Sequence, residues 1–229
     1  MNKLLLLLSV CFLLPAFFSA QDATKTIRAL TDKMDRVKDY SVNAKIKSDI
    51  PLIKSMPVKA VIYFKQKDKF RIVADGIAIL PKQDFNDISQ LLRKKESYNA
   101  LSTGNATIQN MKTEELTILP KSDTADLILA KLWVDTDNAV ILKSQVTSRS
   151  NGTVTTEYTY GAHKKYGLPD AMVFTVDVKK FKIPKGVATD INRNTSKAAN
   201  KPVPKTGQID VRLSNYKINK GIDDAVFTK

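Results

Sequence analysis

Between residues 22 and 39 apolar side chains recur at Ile27, Leu30, Met34 and Val37, three or four apart, with Lys25, Arg28, Asp32 and Arg36 between them. That spacing predicts one amphipathic helix with a narrow apolar stripe. From Tyr40 the period falls to two. Val42, Ala44 and Ile46 alternate with Asn43, Lys45 and Lys47, and Val58, Ala60, Ile62 and Phe64 repeat the pattern, so two strands are expected, joined near Pro51 and Pro57. A third strand runs from Lys69 to Asp75, with Phe70, Ile72 and Ala74 on one face, and Gly76 ends it. From Asp84 to Glu96 helical spacing returns in Phe85, Ile88, Leu91 and Leu92, with Lys94 and Lys95 in the last turn, where the helix dipole favours cations.

A polar stretch around Ser102 to Asn105 reads as a loop. Strands then follow at Leu116–Leu119, Ile128–Asp135, Val140–Arg149, Thr153–Tyr160 and Met172–Lys179. Turns fall at Asp135–Asn138 and at Asn151-Gly152, the latter a two-residue hairpin signal. Residues 184–207, rich in Lys, Asn, Thr and Pro, read as a flexible loop before a last strand at Ile209–Ile218. No repeat and no composition break divides the chain. The expected architecture is α+β: an incomplete antiparallel β-barrel, or strongly curved sheet, with helices covering its concave face.

The amino terminus follows neither pattern. Lys3, the apolar run from Leu4 through Leu14 and the small pair Ser19-Ala20 are the parts of a secretory signal peptide, cleaved near Ala20, which leaves residues 21–229 as one domain. A retained anchor, or lipidation at Cys11, are the alternatives. Export places the mature protein in the periplasm and removes the only cysteine, so no disulfide is expected and a hydrophobic core must supply the stability.

The net charge of +14 is carried by lysines spread along the chain. With export excluding nucleic acid as a partner, this surface suits lipid headgroups, acidic proteins or anionic polysaccharide, or is simply solvated. Candidate chemistry is sparse. The single histidine, His163, sits in a polar turn, which leaves catalytic triads and His/Cys zinc sites without their parts. Phosphate-binding glycine loops and nucleophile elbows are missing, and the acidic neighbours Asp84 with Asp87, Glu114 with Glu115 and Asp223 with Asp224 lack calcium-loop spacing. The expectation is a binding protein, not an enzyme, with no metal or cofactor.

A curved sheet under helices can hold an apolar cavity. Strand alternation nominates Ile46, Ile62, Phe64, Phe70 and Ile72 from the first half, and Leu132, Val134, Val140, Leu142 and Val146 from the second, as its lining. The same positions fit an ordinary dry core.

The run Ile27–Ser48 followed by Ile62-Tyr63-Phe64-Lys65-Gln66-Lys67-Asp68-Lys69-Phe70-Arg71 resembles the opening of periplasmic lipoprotein carriers of the LolA type. Leu132-Trp133-Val134-Asp135, Asn151-Gly152, Leu168-Pro169, Asn219-Lys220-Gly221-Ile222 and Phe227 resemble that superfamily's second half. The resemblance implies a barrel that shelters acyl chains of lipoproteins or other lipids between inner and outer membranes, working as a monomer with membrane-associated donor and acceptor proteins. It makes the helix bearing Leu30 and Met34 and the helix bearing Leu91 and Leu92 the lids. The family's Arg-Pro, whose arginine latches the lid, aligns with Gln66-Lys67 here. The alternative is a sensor or interaction module of the same fold that docks an acidic or membrane-associated partner.

Overall fold

The computed structural model describes residues 23–50, 57–66, 69–76, 80, 85–178 and 205–228. The predicted signal peptide, the joints at 51–56, Lys67 and Asp68, and most of the 184–207 segment lie outside the described residues.

Helix α1 spans Thr24–Met34 and buries Ile27, Leu30, Thr31 and Met34, but ends before Val37, which the spacing places in the same stripe and which is buried past the helix end. The Thr31 hydroxyl turns back to the carbonyls of Ile27 and Arg28, both at 3.0 Å, which satisfies it inside the apolar stripe. Strands β1 (Asp39–Ser48), β2 (Val58–Lys65) and β3 (Lys69–Ala74) form the expected meander, with Val42 opposite Ile62 and Ile62 opposite Ile72. Helix α2 spans Phe85–Arg93 and stops short of the lysine pair, which leads instead into a 3-10 turn at Lys95–Ser97.

The expected loop around Ser102 to Asn105 is instead the middle of strand β4, Tyr98–Ile108. Its partner β5 starts at Met111, not Leu116, and runs to Pro120. Gln109 and Asn110 join the two with φ of 51° and 61°, positive at both central positions as a tight type I′ hairpin requires. Strands β6 (Leu127–Asp135), β7 (Val140–Ser148), β8 (Gly152–Thr159) and β9 (Ala171–Asp177) then continue the meander, and β10 begins at Thr206, earlier than expected, and ends at Ile218. Ser148 pairs with Gly152, so the β7–β8 loop is Arg149-Ser150-Asn151 and not a two-residue turn at Asn151-Gly152. The loop is held by the Asn151 amide donating to the Ser148 hydroxyl at 3.1 Å.

The ten strands of the described residues form one antiparallel sheet in the order β3-β2-β1-β10-β9-β8-β7-β6-β5-β4. The sheet does not close, giving the expected incomplete barrel. Its last strand lies between the first and the ninth, which seals the amino- and carboxy-terminal halves along one seam. The two edges, β3 and β4, are consecutive in the chain, and α2 lies on the segment that passes between them. Curling is visible at the β4–β5 tip, where the Gln109 side chain donates to the carbonyl of Tyr158 on β8 at 3.1 Å. Three strand steps separate β5 from β8, about 14 Å across a flat sheet, so the tip has folded inward. Both helices pack on the same face: Ile27, Leu30 and Met34 of α1 and Ile88 and Leu92 of α2 share one buried cluster with Val42, Ile62, Leu116, Leu132, Phe174 and Val211.

The β3 edge is covered by the carboxy terminus. Lys65 donates to the carbonyl of Ile222 at 2.8 Å, Arg71 to that of Val226 at 2.7 Å, and Lys65 and Lys69 both reach Asp224 at 2.7 Å. These two lysines hold the Asp224 carboxyl down at about 2. Among the described residues no helix is long and apolar enough to cross a membrane.

Candidate functional site

Under the helices the seam leaves an apolar cavity. Tyr40 and Val42 come from β1, Ile62 from β2 and Phe70 from β3; Met172 and Phe174 come from β9, and Val211, Leu213 and Tyr216 from β10. Leu80, Leu168 and Pro169 complete the wall. The space is about 480 Å³ when the open solvent at its mouth is counted, and the part enclosed by the wall is far smaller. Among the described residues no lining side chain carries a charge, and the hydroxyls of Tyr40 and Tyr216 are the side-chain oxygens of the wall.

Register explains why these side chains converge. Ile46 stands opposite Val211, which stands opposite Met172, so one inward rank crosses the seam from β1 to β9. Higher up, Ser41 pairs with Lys217 and Asn43 with Ser214, so β10 carries one extra residue there, and Asn215 takes φ of 57° to accommodate it. The bulge shifts the inward phase of β10 from Val211 and Leu213 to Tyr216. The Tyr216 hydroxyl donates to the carbonyl of Pro169 at 2.7 Å, and burial, followed by Tyr40, Asp170 and Tyr160, pushes its pKa far up, which fixes it as a neutral donor.

A second cavity of about 320 Å³, also partly open, lies at the carboxy-terminal end of α1. Met34, Val37, Tyr40, Phe64, Tyr166 and Leu168 line it together with Ser89 and Arg93 of α2. Tyr40 and Leu168 line both cavities, so these two side chains are the partition between them. Tyr40 stacks on Phe64 with centroids 5.2 Å apart and meets Tyr216 edge-on at 5.8 Å.

No protein-family model matches this sequence, and no curated protein matches it significantly. Solved structures do match. A DUF1329 family protein from Desulfovibrio piger superposes with a TM-score of 0.56 at 12% identity, covering 90% of this chain and 96% of that one. A domain assigned to outer membrane lipoprotein sorting from Vibrio parahaemolyticus gives 0.55 at 11% identity, covering 90% and 97%. A LolA superfamily protein from Nitrosomonas europaea gives 0.54 at 14% identity, covering 89% and 97%. The chain has the LolA-like fold.

In this LolA-like barrel the residues nominated from sequence fall into three groups. Ile62 and Phe70 line the larger cavity, and Met34 and Phe64 the smaller. Leu30, Ile46, Leu132, Val134 and Val146 lie in the buried cluster between sheet and helices, with Ile72 and Leu91 half-buried against it. Val140 and Leu142 are buried but stand outside that cluster. At Leu142 the cause is a second bulge: Trp133 pairs with Lys143 and Val134 with Ile141, so Leu142 is the extra residue and Ile141 takes the core position. The β9 and β10 side chains were missed, although both strands were expected, because nothing local says that β10 returns to lie beside β1.

The position aligned with the LolA-type Arg-Pro retains a tie to the helix. Gln66 donates through its side-chain amide to the carbonyls of Asp35 and Val37, each at 3.0 Å, just past the end of α1. Lys67 lies outside the described residues. Further ties hold both helices: Thr26 to Glu114 at 2.5 Å, Lys33 to the Asn138 carbonyl, Arg93 of α2 to Asp35 at 2.9 Å, and the Tyr98 hydroxyl to the Leu92 carbonyl at 2.9 Å. His163 lies in the expected turn, its Nδ1 3.6 Å from Asp170 and its ring 4.7 Å from that of Tyr216.

Proposed function

We propose that this chain is a periplasmic carrier of acyl chains, acting by binding and release with no chemical step, and that lipoproteins passing from inner to outer membrane are its cargo. The uncharged cavity on the seam supports this reading most directly. Its wall is aliphatic and aromatic, with the Tyr216 hydroxyl already paired to Pro169, so an acyl chain entering it leaves no polar group newly stranded. Each methylene moved from water into such a site contributes about 0.8 kcal/mol, so one long chain supplies most of the affinity. Release then follows from displacement of α1 and α2, which roof the concave face. The LolA-like fold and the sorting role given to the Vibrio parahaemolyticus domain point the same way.

Native mass spectrometry of protein purified without detergent from an envelope fraction tests the proposal. Acyl-bearing mass near one equivalent per chain, removed by solvent extraction, is the expected result, and it identifies the cargo. A bare chain that also ignores fluorescent fatty-acyl probes would refute it and return attention to the basic surface as a docking site.

A further inference from the structure

The smaller cavity differs from the larger one at its rim. Lys33 and Arg36 flank the lining residues Met34 and Val37 in sequence, Lys164 and Lys165 precede the lining residue Tyr166, and Arg93 lines the cavity itself. Arg93 thus lines the opening, the Lys165 ammonium lies over the ring of the lining Tyr166, and the charges of Lys164 and Arg36 act on Lys33, next to the lining Met34. Two carboxylates answer them: Asp35, paired with Arg93 at 2.9 Å, and Asp135, 3.3 Å from Lys164. Arg36 and Lys165 are exposed, and no described carboxylate pairs with either. Lys165 lies over the ring of Tyr166, 5.1 Å from its centroid, while Ser89, buried in the cavity wall, accepts from Arg93 at 3.3 Å.

At Lys33 the crowding adds to the effect of burial. Partial burial, followed by repulsion from Lys164 and Arg36, lowers the pKa of Lys33 in spite of the opposing pull of Asp135. An isolated anion placed at this opening would relieve the repulsion, and the apolar wall behind it sets what the anion must be attached to.

We propose that the rim is a headgroup subsite for a negatively charged acyl lipid, with the phosphate among Lys33, Arg36, Arg93, Lys164 and Lys165 and the chains running past Tyr40 and Leu168 into the larger cavity. The inference rests on the acyl-chain reading above, but not on lipoprotein being the cargo. It names phospholipid-type anions as ligands of the same site. The shared partition is what makes the geometry work: a tail that displaces Tyr40 and Leu168 passes from the charged opening directly into the uncharged interior.

The test compares phosphatidylglycerol with diacylglycerol, both carrying the same fluorescent acyl chain, in titrations of the full mature chain stripped of lipid. At low ionic strength the phospholipid binds about tenfold tighter, and the gap narrows as salt is raised. Arg36→Gln with Lys165→Gln removes most of the gap and leaves diacylglycerol affinity unchanged; Arg36→Lys with Lys165→Arg, which keeps the charges, retains it. Equal affinity for the two lipids, or a gap that survives the neutralised pair, overturns the headgroup subsite while leaving the carrier intact. Binding of neither lipid sinks the carrier reading itself. Glycerol 3-phosphate distinguishes a free phosphate ester from a headgroup: competition only at far higher concentration supports the proposal, and displacement as strong as the lipid's own overturns it.

Discussion

Replacing Gln66 with Ala tests whether α1 moves as a lid. The backbone tie from the Gln66 amide to the Lys38 carbonyl, 2.7 Å, survives the change, and only the two side-chain bonds to the Asp35 and Val37 carbonyls are lost. Each such bond contributes a net amount near 1 kcal/mol; the one to Asp35 is exposed and the one to Val37 part-buried, so the pair together contributes about 1–2 kcal/mol. Because the bonds join the end of α1 to the end of β2 and add nothing within either element, the loss falls on the docked state of the helix. The opening equilibrium then rises by about 5- to 30-fold. Hydrogen exchange resolved by residue reads this directly: the amides of Ile27 to Met34 exchange faster by that factor, while those of β6 and β7 do not change, and acyl probes leave the protein correspondingly sooner. Gln66→Arg keeps donors for both carbonyls and stays within about twofold of the parent. Unaltered exchange in α1 of the alanine variant would refute the argument, since the helix would then be held by its buried face alone.

Other changes probe the core, the cavity and the charged edge. Leu132→Ala, at a fully buried position on β6, lowers stability by about 3–4 kcal/mol in denaturant titration; a loss below about 1 kcal/mol would place the residue outside the core. Met172→Trp fills the larger cavity at an overpacking cost of about 1–3 kcal/mol and abolishes acyl-probe binding in a protein that still melts cooperatively; undiminished binding would move the ligand elsewhere. Lys65 and Lys69 hold Asp224 at about 2, below the unfolded value near 4. Its contribution is therefore present above about pH 4 and is lost as pH falls toward 2. The difference in Tm between the parent and Asp224→Asn should shrink across that window, and a difference constant down to pH 2 would contradict the assignment.

What could be read from the sequence depended on how sharply burial alternates. In β1, Val42, Ala44 and Ile46 are buried and Asn43, Lys45 and Lys47 exposed, so a single line of sequence gives the strand and its face. Strand β4 lies at the open edge, where only Tyr98 is buried and no charged residue marks the outer face, so its polar middle looked like a loop. Turn chemistry misled for a related reason: Asn151-Gly152 is a strong local signal, but the pairing of Ser148 with Gly152 sets the loop one residue earlier and longer. The site was less legible than the fold. Its wall depends on β10 pairing with β1 across more than half the chain, and on a bulge at Asn215 that turns Tyr216 inward. Neither a long-range pairing nor a one-residue insertion leaves a trace in local periodicity.

The same topology decides which part of the molecule can yield to a ligand. Both cavities take walls from β1 and from the loop that precedes β9, and the larger takes another from β10, held by a ladder to β1 with one bulge and by a ladder to β9 from Thr206 to Arg212. Opening it through the sheet would break several backbone bonds together with the inward rank of Ile46, Val211 and Met172. The helices are attached differently. Beyond their buried stripes, α1 is tied by Thr26, Lys33 and Gln66, and α2 by Arg93 and the Leu92 carbonyl, a handful of side-chain bonds of which only the one to Leu92 is fully buried. Local opening follows the route with the fewest cooperative contacts, so the helices open while the strands stay paired. Since Asp35 accepts from Arg93 through its carboxylate and from Gln66 through its carbonyl, that one residue joins α1 to both α2 and β2. An anion drawing Arg93 away from Asp35 would loosen the bond between the two helices at the moment a tail arrives beneath them.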